Sequence, residues 1–136
     1  MPSNEAIPFI DGPVTQLTGL ATAAITGKRM VAISANRESG PGLAADGSTG
    51  VNYKIAHAGA GAKALGVAAY DIANGARGPV IVEGVVPVTA SGSIAAGAQV
   101  EVAATGKVAT LASGKAVGIA LTGAADGDDA EILLTP

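Results

Sequence analysis

The sequence predicts a mainly β protein: a small Gly/Ala-rich β-barrel or sandwich built from two divergent repeats, with an extended N-terminal arm and at most one short helix. Three observations lead there. Apolar and polar residues alternate with period two in short runs, most clearly in "AQVEVAATGKVATLA" at 98–112. Gly, Asn and Asp separate these runs at turn-like intervals. The stretch "KALGVAAYDIANGARGPVIV" at 63–82 also returns as "KAVGIALTGAADGDDAEILL" at 115–134, 52 residues later and without a gap. Identical pairs include Lys63/Lys115, Gly66/Gly118 and Gly75/Gly127. Repetition of this kind is a structural signal before it is a functional one.

In chain order, residues 1–12 read as an extended arm. Pro2, Pro8 and Pro13 oppose both a helix and a central strand. The arm holds the chain's single Phe, Phe9, between Ile7 and Ile10. Such a segment packs on its own body or lies on a neighbour. Residues 13–136 read as a single β-rich domain with quasi-repeats over about 13–83 and 87–134. Near the start of each copy a Pro-Val-Thr is followed by a Gly and then a Thr-Gly-Lys, at 26–28 and at 105–107. The first copy carries an insertion at 36–50, "NRESGPGLAADGSTG", polar and long for a connection. Ala-rich residues 56–65 are compatible with a short helix, although glycines interrupt them. Next, "GVAAY", "DIANGARG" and "PVIVEGVV" read as strand, turn and strand, with Asp71, Asn74, Gly75 and Gly78 in the turn. Val100 and Val102 then form a hairpin with Val108 and Leu111 across Thr105-Gly106-Lys107. Finally "AVGIALT" pairs with "AEILLTP" around "GAADGDD".

The 136 residues include no Trp, one Phe and two Tyr, so Val, Ile, Leu and Ala must build the core. A buried Val or Leu contributes roughly 1.5–3 kcal/mol, and Ala far less. Twenty glycines add to the entropy lost on folding. A lone monomer of this composition is marginal, which predicts self-association or docking on a partner. Charged residues make up only 14 % of the chain and the net charge is −3. With no basic run and few aromatics, nucleic acid is not an expected partner. The apolar stretches are short and broken, so no membrane span is expected, and the N-terminus lacks the pattern of a signal peptide. The chain has no cysteine, which excludes disulfides and thiol chemistry and fits a reducing cytoplasm.

The search for chemistry ends in exclusions. His57 is the single histidine, and without Cys it makes neither an ordinary zinc site nor a Cys/His pair. Its expected role is structural. Asp126, Asp128, Asp129 and Glu131 cluster, but their spacing is not that of a calcium-binding loop, so a solvated hairpin tip is expected. "GAGAKALG" around Lys63 fails the phosphate-loop spacing. No catalytic residue, cofactor or metal site is expected, and the chain does not read as an enzyme.

The block from Pro87 to Pro136 resembles the small capsid decoration, or cement, proteins of tailed bacteriophages. The resemblance rests on Gly92, Gly97, Val100, Gly106, Lys107, Gly118, Ala120, Ala125, Gly127 and Asp128, followed by a terminal strand over 132–134. It extends upstream to about residue 60 and is poor before that. It implies a virion structural protein on the outer surface of the mature capsid, made in the bacterial host cytoplasm. The implied partners are the major capsid protein and further copies of the chain, as a homotrimer. The implied role is head stabilisation by stitching capsid proteins together. Ile7, Pro8, Phe9 and Ile10 are the candidate partner-binding residues, toward the capsid or a neighbouring subunit. Two alternatives remain: another phage structural β module, such as a head-fibre base or a tail-associated piece, or a lipoyl/biotinyl-type carrier. The carrier would present Lys107 at a hairpin tip, but "TGKVA" lacks the residues that flank the modified lysine in such domains.

Overall fold

The computed structural model describes residues 15–36 and 53–135. The arm and nearly all of the 36–50 insertion lie outside the described residues. The first half holds five strands: β1 (Gln16–Ala21), β2 (Met30–Ala35), β3 (Tyr53–His57), β4 (Gly66–Ala68) and β5 (Arg77–Ile81). They close into a barrel in the order β1-β3-β2-β4-β5, with β5 pairing back on β1. The second half holds β6 (Val85–Thr89), β7 (Gln99–Val102), β8 (Val108–Thr110), β9 (Ala116–Ala120) and β10 (Asp129–Leu134). These form a sheet in the order β6-β10-β9-β7-β8.

Both halves use one pairing scheme. β1 runs antiparallel to β5 with Gln16 opposite Ile81, and β6 runs antiparallel to β10 with Val85 opposite Leu133. β2 lies between β3 and β4 just as β7 lies between β8 and β9. The parallel β1–β3 pairing that closes the first barrel spans Gly19 to Ala21. Its counterpart in the second half is one parallel bridge, Ala90 with Val108. These registers set Gln16 against Val85, so the two Pro-Val-Thr triplets are not equivalent. Nor are the two Thr-Gly-Lys triplets. The first sits between the Ile25 bridge and β2, the second in a short 3-10 turn between β7 and β8. Turn residues recur wherever a chain reverses, so they align by chemistry without aligning by place.

The glycines shared by the halves have physical reasons. Gly75 and Gly127 both have φ of +84°, a left-handed conformation that side chains disfavour. At Gly66 a Cβ would overlap the Ile81 carbonyl of β5, and at Gly118 it would come within 2.6 Å of the Leu133 carbonyl of β10. Each glycine lets its neighbour strand approach closely. Residues 58–65 form no helix. Gly61 has φ of +74°, and its N–H donates to the Val102 carbonyl at 2.7 Å while its carbonyl accepts from Lys115. Tertiary bonds to the second half thus override the alanine propensity.

Alternation along β2 and β4 divides the core. Val31 and Ala68 point into the first barrel with Ala21, Ile25, Ile55, Ile72 and Val80. Their neighbours Met30 and Val67 point the other way, into a cluster with Val86, Val88, Val100, Val102, Val108 and Ile132 of the second half. One apolar core therefore crosses the seam between the halves. Polar bonds cross it as well. Thr89 N–H donates to the Lys28 carbonyl at 3.0 Å, and the Lys28 ammonium meets Asp129 at 2.8 Å. Lys28 has φ of +59°, a strained value for a residue with a side chain, and the equivalent position in the second half is Gly97. Its hydrogen bond to Asp129, and then the Asp129 charge, raise the Lys28 ammonium above the usual lysine range.

His57 on β3 accepts the Thr26 N–H at Nε2, 2.9 Å away. That bond uses the lone pair on which a proton would sit. Burial, and then the positive charge of Arg29, hold the imidazole below its ordinary value of 6.5. The unfolded chain therefore takes up a proton more readily than the folded one. The stabilisation from neutral His57 is complete above that ordinary value and is lost as pH falls below it.

Two expectations follow for stability. Gly66→Ala and Gly118→Ala should each lower it by about 1–3 kcal/mol through overpacking, whereas Gly59→Ala, with open space around it, should be neutral or raise it by about 0.4–1 kcal/mol. Urea midpoints would show this, and equal effects at all three positions would contradict the close-approach account. Between about pH 7.5 and 5.5 the melting temperature should fall, and His57→Gln should flatten that slope. An unchanged slope in the variant would assign the pH dependence to other groups.

Candidate functional site

Three of the chemistry-bearing side chains, His57, Asp126 and Asp129, help to hold the fold. His57 bonds Thr26 as described. Asp126 accepts the Gly92 N–H at 2.8 Å, and Asp129 accepts from Thr89 as well as from Lys28. Two members of the acidic cluster are thus tied into the turns and the seam. Among the described residues no group of His, Cys, Asp and Glu is arranged to hold a metal ion. Lys107 stands between the 3-10 turn and β8, where its carbonyl accepts the Ala103 N–H at 2.6 Å. No buried polar or charged residue occurs among those described.

Three surface features stand out. The first is the outward face of β6, β10 and β9. Val85 is opposite Leu133, which is opposite Ile119. One row on, Pro87 is opposite Glu131, whose carbonyl accepts from Leu121. In-register residues of one pleat phase share a face. Val85 is 52 % exposed, Leu121 49 % and Leu133 38 %, so an apolar patch runs across three strands. A sequence signal for it exists in β10, where Asp129, Glu131 and Leu133 alternate with buried Ala130 and Ile132. Leu133 occupies the solvent phase of that pattern.

The second feature is an apolar groove of about 290 Å³ at the seam, lined by Met30, Ala64, Val82, Val117 and Leu134, with Lys63 on its wall. Its residues come from five separate places in the chain, so no local pattern announces it. The third is an open depression of about 640 Å³ beside the Lys28–Asp129 pair, where Tyr70 is 57 % exposed. The partner-binding candidates Ile7, Pro8, Phe9 and Ile10 lie outside the described residues.

The exposed apolar face and the groove are surfaces that a partner could meet. A search of curated proteins gives no match. Among solved structures the chain is similar to the N base of the head fibre protein gp8.5 of bacteriophage phi29, with a TM-score of 0.68 at 19 % identity. The alignment covers 88 % of this chain and 92 % of that one, and at this identity it establishes the shared fold. The family model described as phage cement protein matches residues 10–136. The chain belongs to the phage cement protein family.

Proposed function

We propose that this protein binds the outside of the mature phage capsid and stabilises contacts between major capsid proteins. The family match over residues 10–136 carries the reading. The fold supports it: His57, Asp126 and Asp129 are hydrogen-bonded within the fold, while apolar surface is left exposed across β6, β10 and β9. Patches of this kind mark protein–protein contacts in soluble proteins. The mechanism is linkage. A ligand that binds only the assembled, expanded shell stabilises it by RT ln(1 + [L]/Kd), and many weak contacts on one lattice add up. Attachment runs through residues 2–12, with Ile7, Phe9 and Ile10 as apolar anchors held extended by Pro8. An arm of this kind can add a strand to a neighbour's sheet edge. The working unit is a homotrimer of single-domain subunits, each made of two copies of one five-stranded unit, and it uses no cofactor.

A second reading, as the base of a head fibre, has one observation in its favour, the fold shared with the phi29 head-fibre N base. Both readings place the protein on the head and differ in whether it carries a further fibre.

Purified protein added to expanded heads should give extra density on the outer surface over junctions between capsid proteins in cryo-electron microscopy; density at the tail or inside the shell would reject the proposal. Deleting residues 2–12 should abolish that occupancy while leaving the thermal unfolding of the body intact. Unchanged occupancy would remove the arm from the attachment mechanism.

A further inference from the structure

The seam groove lies beside Thr15, the first of the described residues. The Thr15 carbonyl accepts the N–H of Val82 at 3.0 Å, and Val82 lines the groove. The chain preceding Thr15 therefore begins one hydrogen bond from the groove wall. Phe9 lies six residues before Thr15, within a reach of about 20 Å for an extended segment. The groove is mainly aliphatic, and its volume of about 290 Å³ exceeds the roughly 150 Å³ that suffices to hold benzene in an apolar cavity. Charge agrees too. Lys63 lines the groove, and Asp11 is two residues beyond Phe9, so in an extended segment the ring and the carboxylate project to the same side. Left in water, Ile7, Phe9 and Ile10 would be an apolar, aggregation-prone cluster.

We infer that in the unbound protein the groove between the two halves holds the chain's own N-terminal segment, with Phe9 as the inserted side chain and Asp11 beside Lys63. The arm is stored there and becomes available to a partner when it leaves. This inference concerns the isolated chain, so it stands or falls separately from the capsid reading.

The absence of tryptophan provides the test. Phe9→Trp places a single indole reporter in the full-length protein. Blue-shifted emission that does not change on dilution, shielded from iodide quenching, is expected. Adding Ala64→Arg, which fills the groove, should shift the emission to the red and restore quenching. Lys63→Glu, a surface change that leaves packing alone, should do the same in part, and it serves if Ala64→Arg impairs folding. Ala64→Arg with native Phe9 should still occupy expanded heads. Water-exposed emission from the folded Phe9→Trp protein would overturn the inference. So would a blue shift that survives both groove variants, which means docking elsewhere, or one that fades on dilution, which means a second copy is the occupant.

Discussion

At Gly66 the Ile81 carbonyl occupies the space where a Cβ would stand, and at Gly118 the Leu133 carbonyl crowds the same space. Much of the architecture follows from these two approaches. A chain without Trp and with three aromatic residues cannot fill wide spaces between its strands. It must bring backbones close and fill what remains with Val, Ile and Ala. The fully buried side chains are of that kind, with Met30, Ile55 and Ile132 the largest. Close packing yields dispersion contacts in place of large buried rings. Met30 extends that economy across the seam, since its flexible side chain joins Val67 in the cluster formed by the valines of the second half.

The shared core also explains why the halves are not independent beads. β2 and β4 each supply one face to the first barrel and the other to the second half. Removing either half would strip Met30, Val67 and Val86 of cover. Lys28 adds a polar tie at the same seam, in a backbone conformation that its counterpart Gly97 adopts without strain. The two copies of the pairing scheme thus differ at a position where they meet.

Much of this could be read in the sequence, for a definable reason. Hairpins between neighbouring runs obey period two, so Val100, Val102 and Val108 announce β7 and β8, and the 52-residue echo announces that β9 and β10 repeat β4 and β5. Non-local features left no such trace. The parallel β1–β3 closure joins residues more than thirty positions apart across the insertion. Residues 58–65 carry helical propensity that bonds to Val102 and Lys115 overrule. The aligned Thr-Gly-Lys triplets misled because turns share chemistry. The family resemblance was legible through glycine spacing: Gly92, Gly97 and Gly127 stand where the backbone takes a positive φ, and Gly106 and Gly118 where a neighbouring backbone comes close. The surface was the least legible part. The groove is assembled from residues 30, 63–66, 82, 117 and 134–135, and only the fold brings them to one wall.

The two halves close with unequal strength. In the first, three consecutive residues of β1 and β3 pair; in the second, Ala90 and Val108 do so alone. A staved vessel loosens along its weakest joint, and here that joint is the line between β6 and β8. Few backbone pairs along a line mean local opening at little cost, so the amides there are expected to exchange with solvent before those shared by β1 and β3.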